Sequence, residues 1–524
     1  MKSHKKTRTH ILLGLTGIVS AIAFASTAVA SSAEATAPHA SKLVWGACPT
    51  GAPAPQQCAE LTVPLDYRSP WGRTIKVEVS RVPAADPAKR KGVLMVNGGG
   101  PSTSLDVASA FGGLMAQEIR DSYDIVAFDP RGIGHSTPIS CGRTVDEMVR
   151  DQQLGLLSFP APDGSIGGNI AYSRRMAEQC AANSGALLPH LTTANIARDM
   201  DRIRKALGEH TVSYYGISWG TYLGSIYRSL FPQRVDRMVI DSSVDPNVGG
   251  YEDFRMFSSA MEDRWPDLAR FGVEQRNVVR LGATEAEVRK NYLKMTAELD
   301  RNPVKLDGTK ARIDGNFIRL QTWQLSYNDR NLTGTSQGPV SRLAALWRAG
   351  VNLAQRKATD EDRTYLRDTA NTTITAGVMA GMPTDNLFSV GWAISCADKA
   401  WPSDYRAYGR NVLADRERYP LMAGAPANLA PCSFWHTKPR QPEPKVTQTG
   451  TRNVLILQNR RDPSTPLRAA QGMKSAMGSD AVFVEVDAGG HGVLVHPEPS
   501  DCAIGAMNKY LTTGELPARD LVCS

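Results

Sequence analysis

Few local patterns restrict a chain as tightly as a short apolar strand, a glycine-flanked serine and an apolar-spaced helix in direct succession. Thr211-Val212-Ser213-Tyr214-Tyr215 is rich in β-branched and aromatic residues, the composition of a short buried strand. Gly216-Ile217-Ser218-Trp219-Gly220 follows, and Thr221-Tyr222-Leu223-Gly224-Ser225-Ile226-Tyr227 then takes up helical apolar spacing. A serine on a strand-to-helix reversal needs small residues two before and two after it, because larger side chains would collide as the chain turns back. The following helix aims its positive end at charge developing beside Ser218. Gly334-Thr335-Ser336-Gln337-Gly338 fits the same pattern, but it follows the polar run Ser326-Tyr327-Asn328-Asp329-Arg330-Asn331 and precedes Pro339. It reads as a loop.

The strands around this turn define a layered α/β sheet. The stretches 59–65 and 74–82 alternate in polarity and read as an antiparallel sheet edge. Gly92-Val93-Leu94-Met95-Val96 is continuously apolar, as a strand buried on both faces requires, and empties into Asn97-Gly98-Gly99-Gly100-Pro101-Ser102-Thr103-Ser104. Tyr123-Asp124-Ile125-Val126-Ala127-Phe128 ends in Asp129-Pro130-Arg131-Gly132, whose Asp129 and Arg131 read as structural turn residues. Residues 151–170 read as a loop, and 193–208 as a helix whose Asp and Arg residues form a solvated, paired face. Strands alternating with helices give a mostly parallel sheet.

From about 246 to 440 the texture changes to Met, Trp, Arg and Ala at helical spacing, which reads as a mainly helical inserted cap. Trp265, Trp323, Trp347 and Trp392 read as cap core, and the Pro-rich stretch 437–445 as the linker returning to the sheet. The core therefore comprises 42–245 and 441–524, where strand patterns resume at Asn453-Val454-Leu455-Ile456-Leu457-Gln458 and Ala481-Val482-Phe483-Val484-Glu485-Val486.

A serine hydroxyl becomes a useful nucleophile only beside a base, and the base needs a carboxylate to fix its tautomer. Asp462 directly follows one late strand and His491 sits in the glycine-flanked loop after the next, in the chain order Ser, Asp, His. His496 competes with His491, and Asp480 and Asp487 compete with Asp462. An oxyanion needs rigid backbone N–H donors, for which Trp219 and Ser102 are the candidates.

The first 30 residues carry Lys2, Lys5, Lys6 and Arg8, an uncharged apolar stretch at 11–25, and Ala28-Val29-Ala30 as a small-x-small cleavage site. That is a signal-peptide pattern, with residues 31–41 as a flexible mature start and secretion as the expected destination. Its removal lowers the formal charge from +8 to +4, too little to argue for nucleic acid, and no later apolar segment calls for a membrane. Eight cysteines, all beyond residue 30, read as four disulfides. Of the 105 possible pairings, sequence neighbours are the simplest expectation: Cys48–Cys58, Cys141–Cys180, Cys396–Cys432 and Cys502–Cys523. The spacing of histidines and cysteines matches no metal motif, so neither a metal nor an organic cofactor is implied.

Taken together, Tyr214-Tyr215-Gly216-Ile217-Ser218-Trp219-Gly220, Arg237-Met238-Val239-Ile240-Asp241, Asp129-Pro130-Arg131-Gly132, Asp462-Pro463 with Thr465-Pro466, and Gly490-His491-Gly492 carry a resemblance. The chain resembles the secreted tripeptidyl aminopeptidases of actinobacteria, in the prolyl-aminopeptidase-like branch of the α/β-hydrolases. The resemblance implies an α/β-hydrolase fold with an inserted helical cap, and release of short peptides, typically tripeptides, from free N-termini. Such action needs an acidic group for the substrate's α-ammonium; Asp398 is the candidate, with an ordinary salt bridge in the cap as its alternative. The family's loop Asn-Pro-Gly-Gly-Pro-Gly-Gly-Ser has two glycines replaced here by Ser102 and Thr103. That narrows the space above Ser218 and keeps open an esterase or amidase acting on a non-peptide substrate. A non-catalytic binding protein on the same scaffold is the reading from another class.

Overall fold

The computed structural model describes residues 42–328, 341–375, 381–437 and 442–524. The signal-peptide reading of 1–30, the flexible start at 31–41 and the second Gly-x-Ser-x-Gly at 334–338 lie outside the described residues.

Nine strands form one sheet: β1 (Gln57–Pro64), β2 (Thr74–Val82), β3 (Gly92–Asn97), β4 (Tyr123–Phe128), β5 (Val212–Ser218), β6 (Val235–Ser243), β9 (Val454–Arg461), β10 (Ala481–Gly489) and β11 (Leu521–Cys523). Their spatial order is β1-β2-β4-β3-β5-β6-β9-β10-β11. β1–β2 and β2–β4 pair antiparallel, and every neighbour from β4 to β11 pairs parallel.

The central strands carry continuous apolar runs because both of their faces are covered. Alternate residues feed two separate layers: Val93, Met95, Tyr214, Met238, Ile240, Val454 and Ile456 lie in one. Leu94, Val96, Tyr215, Val239, Leu455 and Leu457 lie in the other. A two-residue side-chain period thus fills both sides of the sheet from a single run of sequence.

Between β6 and β9 the chain forms nine α-helices of four to eighteen residues among the described residues, with a small antiparallel hairpin of β7 (Val304–Lys305) and β8 (Arg312–Ile313). Trp265, Trp347 and Tyr292 pack ring against ring at the centre of these helices. Helix Asn386–Asp398 instead contributes Val390, Trp392, Ile394 and Cys396 to the sheet's own apolar layer. Trp323 is half-buried and reaches out of the helical core to donate its indole N–H to the Pro463 carbonyl.

Two sequence expectations are corrected. The loop placed at 151–170 is much shorter, because helix Val145–Leu156 extends into it and helix Gly167–Ser184 begins before its end. The first of these helices starts on a Thr144/Glu147 capping box, a local signal that its polar composition obscures. The charged face of helix Thr193–Ala206 is not solvated. Asp199 is fully buried and accepts from Arg131 Nε and Nη2 at 2.7 and 2.6 Å and from Tyr67 Oη at 2.6 Å. Arg131 also donates to the carbonyls of Pro64, Leu65 and His190, so the pair ties β1, the Asp129-Pro130-Arg131 turn and this helix together. The four disulfides join the sequence neighbours Cys48–Cys58, Cys141–Cys180, Cys396–Cys432 and Cys502–Cys523.

Removing one member of a fully buried ion pair strands the other. Asp199→Ala is expected to lower the unfolding free energy by about 3–5 kcal/mol, read as a fall in the denaturant midpoint at unchanged slope.

Candidate active site

Ser218 closes β5 with φ 58° and ψ −127°, and Trp219 opens helix Trp219–Leu230. A positive φ is costly for a residue with a Cβ, so the neighbours must impose it. They do so by close approach. A methyl group added at Gly216 would lie 2.6 Å from the Gly220 carbonyl oxygen, and one at Gly220 would lie 2.7 Å from Asn97 Oδ1. The glycines on either side of Ser218 are therefore the points where β5, its helix and the end of β3 touch.

The 98–104 loop leaves the sheet beside this turn, since Asn97 pairs with Gly216. Gly99 donates its N–H to Asn97 Oδ1 at 3.0 Å and presses against the Ser218 turn: an added methyl would lie 2.7 Å from the Ile217 carbonyl and 2.8 Å from Ser218 Cβ. Further along, Ser104 N–H donates to Asp129 Oδ1 and His135 N–H to Asp129 Oδ2, at 2.7 and 2.9 Å. Asp129 thereby pins the far end of the loop. Ser102, half-buried, has its amide packed under Gly100. Trp219 is the first residue of its helix, where backbone N–H groups have no intrahelical acceptor.

Asp462 follows β9 directly and is fully buried. Its carboxylate accepts from Ser464 N–H at 2.8 Å, Thr465 N–H at 2.9 Å and Thr465 Oγ1 at 2.9 Å, and lies 2.9 and 3.0 Å from His491 Nδ1. Nδ1 therefore carries the donated proton, leaving Nε2 as the acceptor atom of a neutral imidazole. Burial by itself would depress the imidazole pKa; the charge and hydrogen bond of Asp462, with a contribution from Asp241, outweigh it and hold His491 above its ordinary value.

The loop bearing His491 is fastened on two sides. His491 N–H donates to the Tyr327 carbonyl at 2.7 Å, and the Tyr327 ring meets the imidazole edge to face at 4.9 Å. Gly492 N–H donates to Ser242 Oγ at 2.8 Å, while Val493 and Leu494 donate to Asp241. An added methyl at Gly492 would lie 3.5 Å from Ile217 Cδ1, next to Ser218. The ends of β5, β6, β9 and β10, four adjacent strands, thus gather Ser218, Asp462 and His491 at one edge.

The competing residues are engaged elsewhere. His496 is half-exposed and its Nδ1 lies 2.7 Å from the Glu498 carbonyl, to which it can only donate. Asp487 pairs with Arg461 and Arg460, and Asp480 with Arg228.

Among the described residues Asp398 makes no salt bridge of the kind the sequence left open; it accepts from Thr193 N–H and Thr193 Oγ1, both at 2.6 Å. The same Thr193 Oγ1 accepts from Trp219 Nε1 at 3.3 Å, a direct line from the residue after Ser218 to a carboxylate. Trp219, Tyr222, Phe254, Asp253, Asp398 and Glu443 line one cavity, with Lys399 as its cation. Asp245 lines it too; burial pushes three of these four carboxyls, Asp398, Asp253 and Glu443, up to about 7, opposed by Thr193 at Asp398, while Asp245 adds to it and Lys399 opposes it at Asp253. Sequence reasoning missed Asp253 and Glu443. Glu443 stands between two prolines in a stretch that reads as a linker, and nothing local marks it as cavity lining. Among the described residues no group of His, Cys, Asp and Glu could hold a metal ion.

Comparison with known proteins places these features in context. Residues 92–339 match the family model of the alpha/beta hydrolase fold, and residues 419–523 match that of TAP-like protein. Tripeptidyl aminopeptidase from Streptomyces lividans is 33% identical over 484 residues, covering 90% of this chain and 84% of that protein. Serine protease Hip1 from Mycobacterium tuberculosis is 28% identical over 487 residues, covering 89% and 87%. Carboxylesterase B from the same organism is 29% identical over 491 residues, covering 89% and 86%.

To take a proton from Ser218, His491 would have to be neutral. Labelling of Ser218 by a fluorophosphonate is therefore expected to rise with pH through a midpoint above the ordinary imidazole value of 6.5. Asp462→Asn withdraws the carboxylate that raises the imidazole; it should move the midpoint down and slow labelling by about 10³–10⁴-fold.

Proposed function

The chain belongs to the tripeptidyl aminopeptidase family of α/β-hydrolases, and on that premise we propose that it is a secreted serine aminopeptidase releasing short peptides, tripeptides foremost, from free N-termini. Ser218 Oγ attacks the scissile carbonyl, and His491 Nε2 takes the hydroxyl proton and returns it to the leaving amine. Asp462 holds the Nδ1–H tautomer and stabilises the imidazolium. The tetrahedral oxyanion receives the Trp219 N–H and an amide of the 98–104 loop, Ser102 by the sequence reading, with Gly99 seated against Ser218. An acyl-enzyme forms, the amine departs, and water repeats the sequence to release the peptide.

The observation that carries the exopeptidase reading is the carboxyl-lined cavity joined to the nucleophile turn through Trp219, Thr193 and Asp398. A substrate α-ammonium entering it would meet Asp398, Asp253 and Glu443, and would draw their elevated pKa values back down as an opposite charge does. An extended tripeptide spans roughly 10 Å from scissile carbonyl to amine, so a carboxylate one indole beyond Ser218 suits a short cut rather than an endoproteolytic one. The four disulfides and the N-terminal sequence pattern support export.

A second reading, an esterase or amidase with the same three residues, is favoured by Ser102 and Thr103 where the family carries glycines. A paired assay separates the two. A tripeptide p-nitroanilide with a free amine should be cleaved, its N-acetyl form should show KM raised at least tenfold, Asp398→Asn should reproduce that rise with the free amine, and Ser218→Ala should abolish turnover. Cleavage of a short p-nitrophenyl ester without anilide cleavage selects the second reading. Neither activity, together with no fluorophosphonate labelling, rejects both.

A further inference from the structure

Asp241 sits in β6 opposite Ile217 of β5, one residue from the nucleophile, and is fully buried. Its Oδ1 accepts from Val493 N–H at 2.8 Å; its Oδ2 accepts from Val493 N–H at 2.9 Å, Leu494 N–H at 3.0 Å and Tyr215 Oη at 2.7 Å. Every partner is a donor, so the arrangement calls for the carboxylate even though burial pushes the carboxyl up; the bonds from Val493, Tyr215 and Leu494 work against that push. The neighbouring Ser242 Oγ takes Gly492 N–H. Three consecutive amides after His491 are thus held by two consecutive side chains of β6. Asp462 grips the imidazole from β9, and Tyr327 takes the His491 amide.

We propose that Asp241 is a positioning residue for His491: it fixes the turn at 492–494 so that the imidazole stays between Asp462 and Ser218, and its buried negative charge joins that of Asp462 in stabilising the imidazolium. This rests on the reading of Ser218, His491 and Asp462 given above. Among the described residues, Asp462, Asp241 and the Tyr327 ring face His491, and Tyr215 and His491 face Asp241. On the outer side of the same loop, at Gly489, Arg264 and Arg461 both pair with Asp267, and Arg461 also with Asp487.

The test is the steady-state kinetics and pH profile of Asp241→Asn on the tripeptide anilide, with near-ultraviolet circular dichroism to establish that the variant is folded. Expected is a 10–100-fold lower kcat, KM within threefold, and a downward shift in the midpoint of the acid limb of kcat/KM, because one of the two charges favouring the imidazolium is gone. A purely structural contact would leave that midpoint in place. An unmoved midpoint, or a kcat within twofold of the unsubstituted protein, overturns the proposal. Should Asp241→Asn not fold, Ser242→Ala takes its place: it releases the Gly492 amide while leaving both charges. A kcat lowered at least threefold with KM and midpoint unchanged supports the fastening of this turn as rate-setting, and an unchanged kcat overturns it. Turnover surviving in Ser218→Ala or His491→Ala would instead reject the underlying reading. Its loss in both, beside an indifferent Asp241→Asn, rejects only the role given to Asp241.

Discussion

The close contact of three backbones around Ser218 is the constraint from which the rest follows. β5 must end, the chain must reverse, and the reversal is braced by the Gly220 carbonyl on one side and by Asn97 on the other. Holding a non-glycine residue at positive φ costs about 1–3 kcal/mol, which the burial of β3, β5 and β6 on both faces offsets many times over. The strain is tolerated because it lies at the rim of strands buried on both faces. The same packing sets what can lie beside the turn: the end of β3 supplies a glycine-rich loop and β6 supplies a carboxylate, each by register with β5.

The helical segment between β6 and β9 does more than cover that edge. The end of helix Gly315–Leu325 and the two residues after Ser326 touch both loops that carry the acid and the imidazole. Trp323 donates to the Pro463 carbonyl, Tyr327 Oη donates to Ser464 Oγ, and the Tyr327 carbonyl takes the His491 amide. The segment is therefore part of the frame of the site on this side. On the other side, helix Asn386–Asp398 packs with the sheet and brings Asp398 to the start of helix Thr193–Ala206. The carboxyl-lined cavity beside Trp219 and Tyr222 is accordingly walled in part by residues of this segment, Asp253, Phe254, Asp398 and Lys399.

What could be read from sequence was whatever is encoded locally. Strand, turn and helix around Ser218 announce themselves within twenty residues, and the order of Asp462 and His491 after late strands follows from the way parallel sheets present their C-terminal ends. Cavity lining, buried charge and loop fastening were not legible, because their partners are far apart in the chain. Asp199 looks like one more charge on an amphipathic helix until Arg131 and Tyr67, 68 and 132 residues away, close over it. Glu443 stands between two prolines and Asp253 beside Glu252, and both acquire meaning only when folding sets them in one cavity with Trp219. In the 98–104 loop the glycines mark a tight turn, but which of them meets Ser218 depends on the register of β3 against β5.

The cross-links have a consequence for how such a chain matures. Each joins a cysteine to the next one along, closing loops of 10, 39, 36 and 21 residues that neither nest nor overlap. A polypeptide emerging N-terminus first into an oxidising space would always find the correct partner newly exposed and the previous pair already spent. Oxidation in order of appearance would then pair each cysteine with the partner it has in the fold.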